Sequence, residues 1–401
     1  MTRTGICSIA RRLMLHPAAP YNEHAVRQEV EKICKEHSLD FEHDTFGNVL
    51  AKLQRAGRAR DLVLAAHLDH PGFEVIQLLA DGSVLVRFLG GVADNYFRCG
   101  VPIRLMPGNI AARLWRRKDG ERIFEAKLSG ADESGGIRRT PNASRIPKGV
   151  LPREAFGVRG TPALSIRPTS PTLTLPKFAV WELEDFAVRH GRIHGRACDD
   201  LIGVAAILAT LIELKRTRAR VNVIGVISRA EEVGLQGALN LAAARGVPAN
   251  SLVVSLETSR ELPGVKMGEG VIIRVGDRTS IFDPSATRFL IEIARELKKT
   301  RGGFPFQRGL MSGGTCEATA YQEFGFQTAA LCVALGNYHN CAERNRIKEE
   351  FVAVHDVCGM VDLLVAAAHQ MGHYNEVTGR LAQRLRKLLA EGRARLKATA
   401  R

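Results

Sequence analysis

Four apolar runs, far apart in the chain, each lead into a residue able to hold a metal ion. No other feature constrains the fold as much. Residues 62–66 end at His67-Leu68-Asp69, and residues 221–227 lead within a few positions to Glu231-Glu232. Residues 252–256 end at Glu257, and residues 328–335 lead to His339. Runs this short and this apolar read as buried strands. From Cys198 onward they alternate with helical patterns at 201–214, 235–244, 283–299 and 352–369, and a further helix opens at 313–315. Strands alternating with helices imply a mostly parallel sheet sandwiched by helices. Such sheets bind ligands beyond the carboxyl ends of their strands. Parallel strands would point all four polar groups at one rim.

A fifth group, Asp199-Asp200, stands before the helical pattern at 201–214. Carboxylates favour helix N-termini, so capping explains one aspartate well and two less well. Two histidines and three carboxylates suit a pair of divalent ions, each with one imidazole, one private carboxylate and a share in a bridging one. Zinc accepts such nitrogen and oxygen ligands, and a metal pair activates water and polarises a carbonyl. His67 and Asp69, two residues apart, share one face of the strand end. Asp69 is therefore placed to accept the second imidazole N–H. Of the Glu231-Glu232 pair, one carboxylate would bind metal and the other would shuttle a proton. His70, His190, His194 and His355 lack such context and read as structural.

The region 76–189 differs in character. Short β-type runs at 83–88, 110–115 and 122–128 are separated by Gly, Pro and Asp, and 135–152 reads as a loop. The expected organisation is a catalytic domain in two parts, 1–75 and 190–374. The β-rich segment 76–189 would be inserted between them, and a basic tail, 375–401, would follow.

Composition excludes several other classes. The 401 residues carry a net charge of +15, and 45% are hydrophobic, ordinary for a globular core. The excess charge is concentrated in 138–148 and in the tail. Neither stretch interleaves aromatics as a single-strand binder would, so both read as solvated surface and nucleic acid is not expected. No apolar run spans a bilayer, and no signal peptide is evident. The eight cysteines form no C-x-x-C pair. A cytoplasmic enzyme with reduced thiols and no membrane partner is expected.

The segments 66–69 with 71–73, 195–203, 231–238 and 338–340 together resemble the tetrahedral (TET) and glutamyl aminopeptidase family of metallopeptidases. The order and spacing match over most of 20–370. The resemblance implies a zinc-peptidase-like core with an inserted PDZ-like β-barrel, through which large homo-oligomers assemble. It implies two divalent ions per chain, zinc or cobalt. His67 and Glu257 would hold one, Glu232 and His339 the other, and Asp199 would bridge. Glu231 would be the general base and Asp69 the partner of His67. The implied activity is release of N-terminal residues from short peptides. A deacylase of N-acyl amino acids and a non-catalytic oligomeric scaffold are the alternatives. There are two departures: Glu257 stands where the family usually has Asp, which bears on the geometry of metal binding, and Cys316-Glu317 where it commonly has Thr-Asp, which bears on substrate preference.

Overall fold

The computed structural model describes residues 3–57, 59–118, 122–129, 175–300 and 302–400. The loop expected at 135–152 and the basic stretch 138–148 lie outside them.

The four apolar runs become adjacent strands. Asn222–Ser228, Leu62–His67, Leu252–Arg260 and Gln327–Gly336 lie side by side in that order, each parallel to the next. Ser228 is level with His67, and Glu257 with Cys332. Further strands, paired antiparallel except for Phe306–Leu310 against Val271–Gly276, extend the sheet on both sides to eleven. Val49–Gln54 and Asp40–His43 flank one edge. Glu350–Ala353, Arg192–Gly195 and Ala187–Arg189 flank the other, and Val271–Gly276 with Phe306–Leu310 branch from Gln327–Gly336. The last pair was not anticipated from the sequence.

Period-two alternation divides the strands between two helical layers. Leu62, Leu64 and Ala66 pack into the larger core with the helices Arg3–Met14, His24–Glu36, Cys198–Arg216, Pro284–Thr300 and Val354–Gln370. Val63 and Ala65 face the helices Gln236–Ala243 and Glu317–Glu323, with Tyr321 and Phe326. Asp283 caps the helix that follows it by accepting the N–H of Ala286 at 2.7 Å. Arg3–Met14 is a helix the sequence reading passed over. Its apolar Ile6, Ile9, Ala10 and Leu13 are buried, at the spacing of one helical face.

Between the Leu62–His67 strand and the Cys198–Arg216 helix, six strands close a barrel that runs from Gly72–Leu78 to Phe178–Trp181. Its core is aromatic. Phe73 and Trp181 meet edge to face at 4.9 Å, and Phe97 stacks on Phe124 at 4.9 Å. The stretch from Tyr374 to Ala398, read from sequence as a basic tail, is a 25-residue helix. No helix among the described residues is long and apolar enough to cross a membrane.

Candidate metal centre

The rim formed by the four parallel strands gathers the predicted residues. His67 terminates its strand, and Glu257 lies within Leu252–Arg260. Glu231 and Glu232 occupy the loop after Asn222–Ser228, and His339 the turn after Gln327–Gly336. Asp199 enters from the start of the Cys198–Arg216 helix, where its backbone is still non-helical.

The distances are short. His67 Nε2 lies 3.5 Å from Asp199 Oδ1 and 3.9 Å from Glu231 Oε2. His339 Nε2 lies 3.2 Å from Glu232 Oε1 and 3.7 Å from Asp199 Oδ2. Three groupings have donor atoms close enough to hold an ion: His67, Asp199 and Glu257; Asp199, Glu232 and His339; and His67, Glu231 and Glu232. Asp199 belongs to the first two, one carboxylate oxygen directed to each imidazole.

The two aspartates of the Asp199-Asp200 pair divide their tasks. Asp200 accepts the N–H of Gly203 at 3.1 Å, which caps the helix and leaves Asp199 to face the rim. A Cβ at Gly203 would sit 2.1 Å from Asp200 Oδ2, so the cap requires glycine there.

Asp69 sits differently from the sequence expectation. His67 Nδ1 is 3.0 Å from the Asp69 carbonyl oxygen and 3.7 Å from its carboxylate. The carboxylate oxygens accept the N–H groups of Glu231 at 2.9 Å and Glu232 at 3.1 Å instead. One residue thus fixes the imidazole through its backbone and the glutamate loop through its side chain. Glu23 supports the same loop, accepting the N–H of Ala230 and pairing with Arg229.

Residues that sequence reasoning missed complete the frame. The buried Glu350 carboxylate accepts the N–H of Asp199 at 3.0 Å and of His339 at 2.8 Å. His339 has φ near +53°, as does Asn337, and Asn340 has φ +62°. Such left-handed backbone is costly outside glycine and persists where surroundings enforce it; the Glu350 bond is one such constraint. His339 Nδ1 is 2.7 Å from the carbonyl of Gly91, in the loop after the barrel strand Val84–Leu89, and Tyr338 stacks on the His339 ring. His70 keeps a structural role, joining the Asp199 carbonyl to Asn340. The bonds from Glu350 to Asp199, from His339 to Gly91 and from His70 to Asp199 and Asn340 have no local sequence signature, because each joins segments far apart in the chain.

The electrostatics are those of crowded, buried acidic groups. Burial raises the carboxyl of Glu257 to about 8, with the Asp199 charge adding to it, and raises that of Glu231 well above its ordinary value. Burial also lifts Asp69, to about 7, with His67 opposing. At His339 burial disfavours the charged ring, but Glu232 and Asp199 outweigh it and push it up to about 10. Crowded, desolvated carboxylates of this kind are held ionised by cations. Asp199 Oδ1 and Glu257 Oε1 are buried without a hydrogen-bond donor among the described residues. Anionic oxygens without donors, beside two imidazoles, fit divalent cations.

A polar cavity opens beside this centre. Glu257, Ser259, Arg260, Arg274, Thr315 and Tyr338 line it. Arg274 is 3% exposed, and its Nε has no hydrogen-bond partner among the described residues.

Comparison with known proteins agrees with this picture. Residues 175–354 match the model of the M42 glutamyl aminopeptidase family, a span that contains Asp199, Glu231, Glu232, Glu257 and His339. A protein of Acetivibrio thermocellus named "Putative aminopeptidase" is 23% identical over 353 residues, 86% of this chain and 93% of that protein. The TET1 peptidase of Pyrococcus horikoshii, described as assembling into a tetrahedron or a large octahedral shell, superposes with a TM-score of 0.66 at 21% identity. That match covers 90% of this chain and 99% of the other. An aminopeptidase from the archaeon Desulfurococcus kamchatkensis superposes with a TM-score of 0.68 at 20% identity, covering 94% and 98%. At these identities the structural likeness establishes a shared fold.

Proposed function

From the match of residues 175–354 to the M42 glutamyl aminopeptidase family model and the fold shared with aminopeptidases, we propose that this chain is a member of that family and a dinuclear metallo-aminopeptidase removing N-terminal residues, acidic ones foremost, from short peptides. The observation that carries the dinuclear reading is the position of Asp199 between two ligand groupings, with an oxygen toward each imidazole. His67 and Glu257 would hold one divalent ion and Glu232 and His339 the other, with Asp199 shared. Nitrogen and carboxylate donors of this kind suit zinc, with cobalt second. Bound ions would supply Lewis acidity to the scissile carbonyl and to water.

The residues of the chain supply the rest. Glu231, beside His67 and raised in pKa by burial, would take the proton of the attacking water and deliver it to the departing amine. Asp69 would keep that carboxylate in place through the loop N–H groups. Arg274 and Arg260 in the adjoining cavity would hold the carboxylate of an acidic N-terminal side chain. The buried, under-bonded guanidinium is the stronger donor of the two. Cytoplasmic homo-oligomers assembled through the barrel complete the reading.

The deciding measurement is metal analysis of the purified protein combined with hydrolysis of aminoacyl p-nitroanilides. Two ions per chain, activity lost to chelators, and glutamyl or aspartyl substrates preferred are expected. Turnover restricted to N-acylated substrates would replace this reading with a deacylase. The Glu231→Gln variant should retain both ions and lose about 10²–10⁴-fold in kcat.

A further inference from the structure

The C-terminal helix, Tyr374–Ala398, takes no part in the centre. Its first turn docks on the body, with Tyr374 and Val377 buried, and Arg380 pairs with Glu296. Beyond that point the helix stands in solvent. Leu385, Leu388, Leu389 and Leu396 are 55–72% exposed. At 3.6 residues per turn they share one stripe with Leu381, about 100° wide. Single exposed leucines are ordinary, but an aligned row is a surface waiting to be covered.

The charges around the stripe point to what covers it. The helix carries seven basic residues and two acidic ones, a net +5. On the same wheel Arg384 and Arg395 border one edge of the stripe, and Arg386 and Arg393 the other. A second copy of this helix packed along the stripe would bring these borders against their own kind, where like charges repel. Nucleic acid would match the charge but would leave the leucines unused, since its exterior is phosphate and sugar. A surface with anionic groups outside and hydrocarbon beneath satisfies both features.

We propose that this helix is a docking element for an anionic lipid surface. It lies in the interface with its leucines among the acyl chains and its arginines at the phosphates, as basic amphipathic helices do. The absence of a membrane partner expected from the sequence rested on the lack of a spanning segment, and a helix lying in the interface needs none.

The test is co-sedimentation of the full-length protein with phosphatidylcholine vesicles, with and without about one-third phosphatidylserine. Binding is expected to the anionic vesicles alone, at least about tenfold weaker at high salt. The triple variant Leu385→Ser, Leu388→Ser, Leu389→Ser is expected to lose that binding while keeping wild-type aminoacyl-p-nitroanilide turnover, because these exposed side chains touch neither the core nor the centre. Failure of the wild-type protein to bind anionic vesicles overturns the proposal. A change in oligomer mass in the triple variant with vesicle binding unaltered also overturns it, and assigns the stripe to contacts between copies. Retention on nucleic acid that survives the leucine changes, without vesicle binding, assigns the basic residues to that polymer and overturns it as well.

Discussion

The two imidazoles of the centre are held by different parts of the molecule. His67 belongs wholly to the core sheet: it ends a fully buried strand, and its Nδ1 meets the carbonyl of Asp69 two residues away. His339 lies on a strained left-handed turn, and its Nδ1 reaches across to Gly91 beside the barrel. One imidazole is therefore held by local sequence and the other by tertiary contact with an inserted unit. Perturbing the barrel should weaken the His339 half alone. Perturbing the residues shared by both halves should abolish everything.

The largest effect is expected at the shared residue. Asp199→Ala removes a donor from both groupings, so both ions should be lost together and turnover should fall by at least about 10³-fold. Metal analysis checks this directly. One ion retained at full affinity would show that Asp199 serves a single half.

Glu350→Gln comes next. Its carboxylate accepts the N–H groups of both Asp199 and His339, and the amide would turn a donor toward one of them. An unmet buried donor costs about 1–3 kcal/mol, and displaced ligand backbones should lower metal affinity about 10–100-fold. Because Glu350 braces both halves, the two ions should weaken together in a chelator titration. Loss of only one would assign Glu350 to that half.

The contrast between the halves also explains what the sequence made legible. The core strands announce themselves because parallel strands buried on both faces are continuous apolar runs, and each leads to a residue able to hold a metal. That is how His67, Glu257, the glutamate pair and His339 came into view. Glu350 and Gly91 did not, because their roles arise from strand pairing and from a barrel loop that no local pattern encodes. Asp69 was found, but the partner of its carboxylate was misjudged: the spacing from His67 is local, whereas the N–H groups it accepts come from a loop more than 160 residues away. The C-terminal stretch was read by its charges alone, which hid the leucine periodicity that makes it a helix.

Asp69→Asn tests the glutamate loop. The amide cannot accept the N–H groups of both Glu231 and Glu232, and the carbonyl that meets His67 remains. kcat should fall as Glu231 loses its support, and affinity for the ion at Glu232 and His339 should drop about 10-fold. The ion at His67 should be affected less.

Trp181→Ala tests the barrel half, with the smallest effect on activity. Trp181 is fully buried in the aromatic core of the barrel, and its removal should cost about 3–5 kcal/mol of barrel stability. The rim strands do not touch that core, so His67 and its carboxylates keep their places. The loop bearing Gly91 hangs from the barrel strand Val84–Leu89, so the brace on His339 should loosen and its ion should exchange faster, with only a few-fold loss of turnover at saturating metal. Equal weakening of both ions would show that barrel and core form one cooperative unit and would dissolve the distinction between the halves. Selective loss at His339 would establish that the inserted barrel completes the centre as well as flanking it.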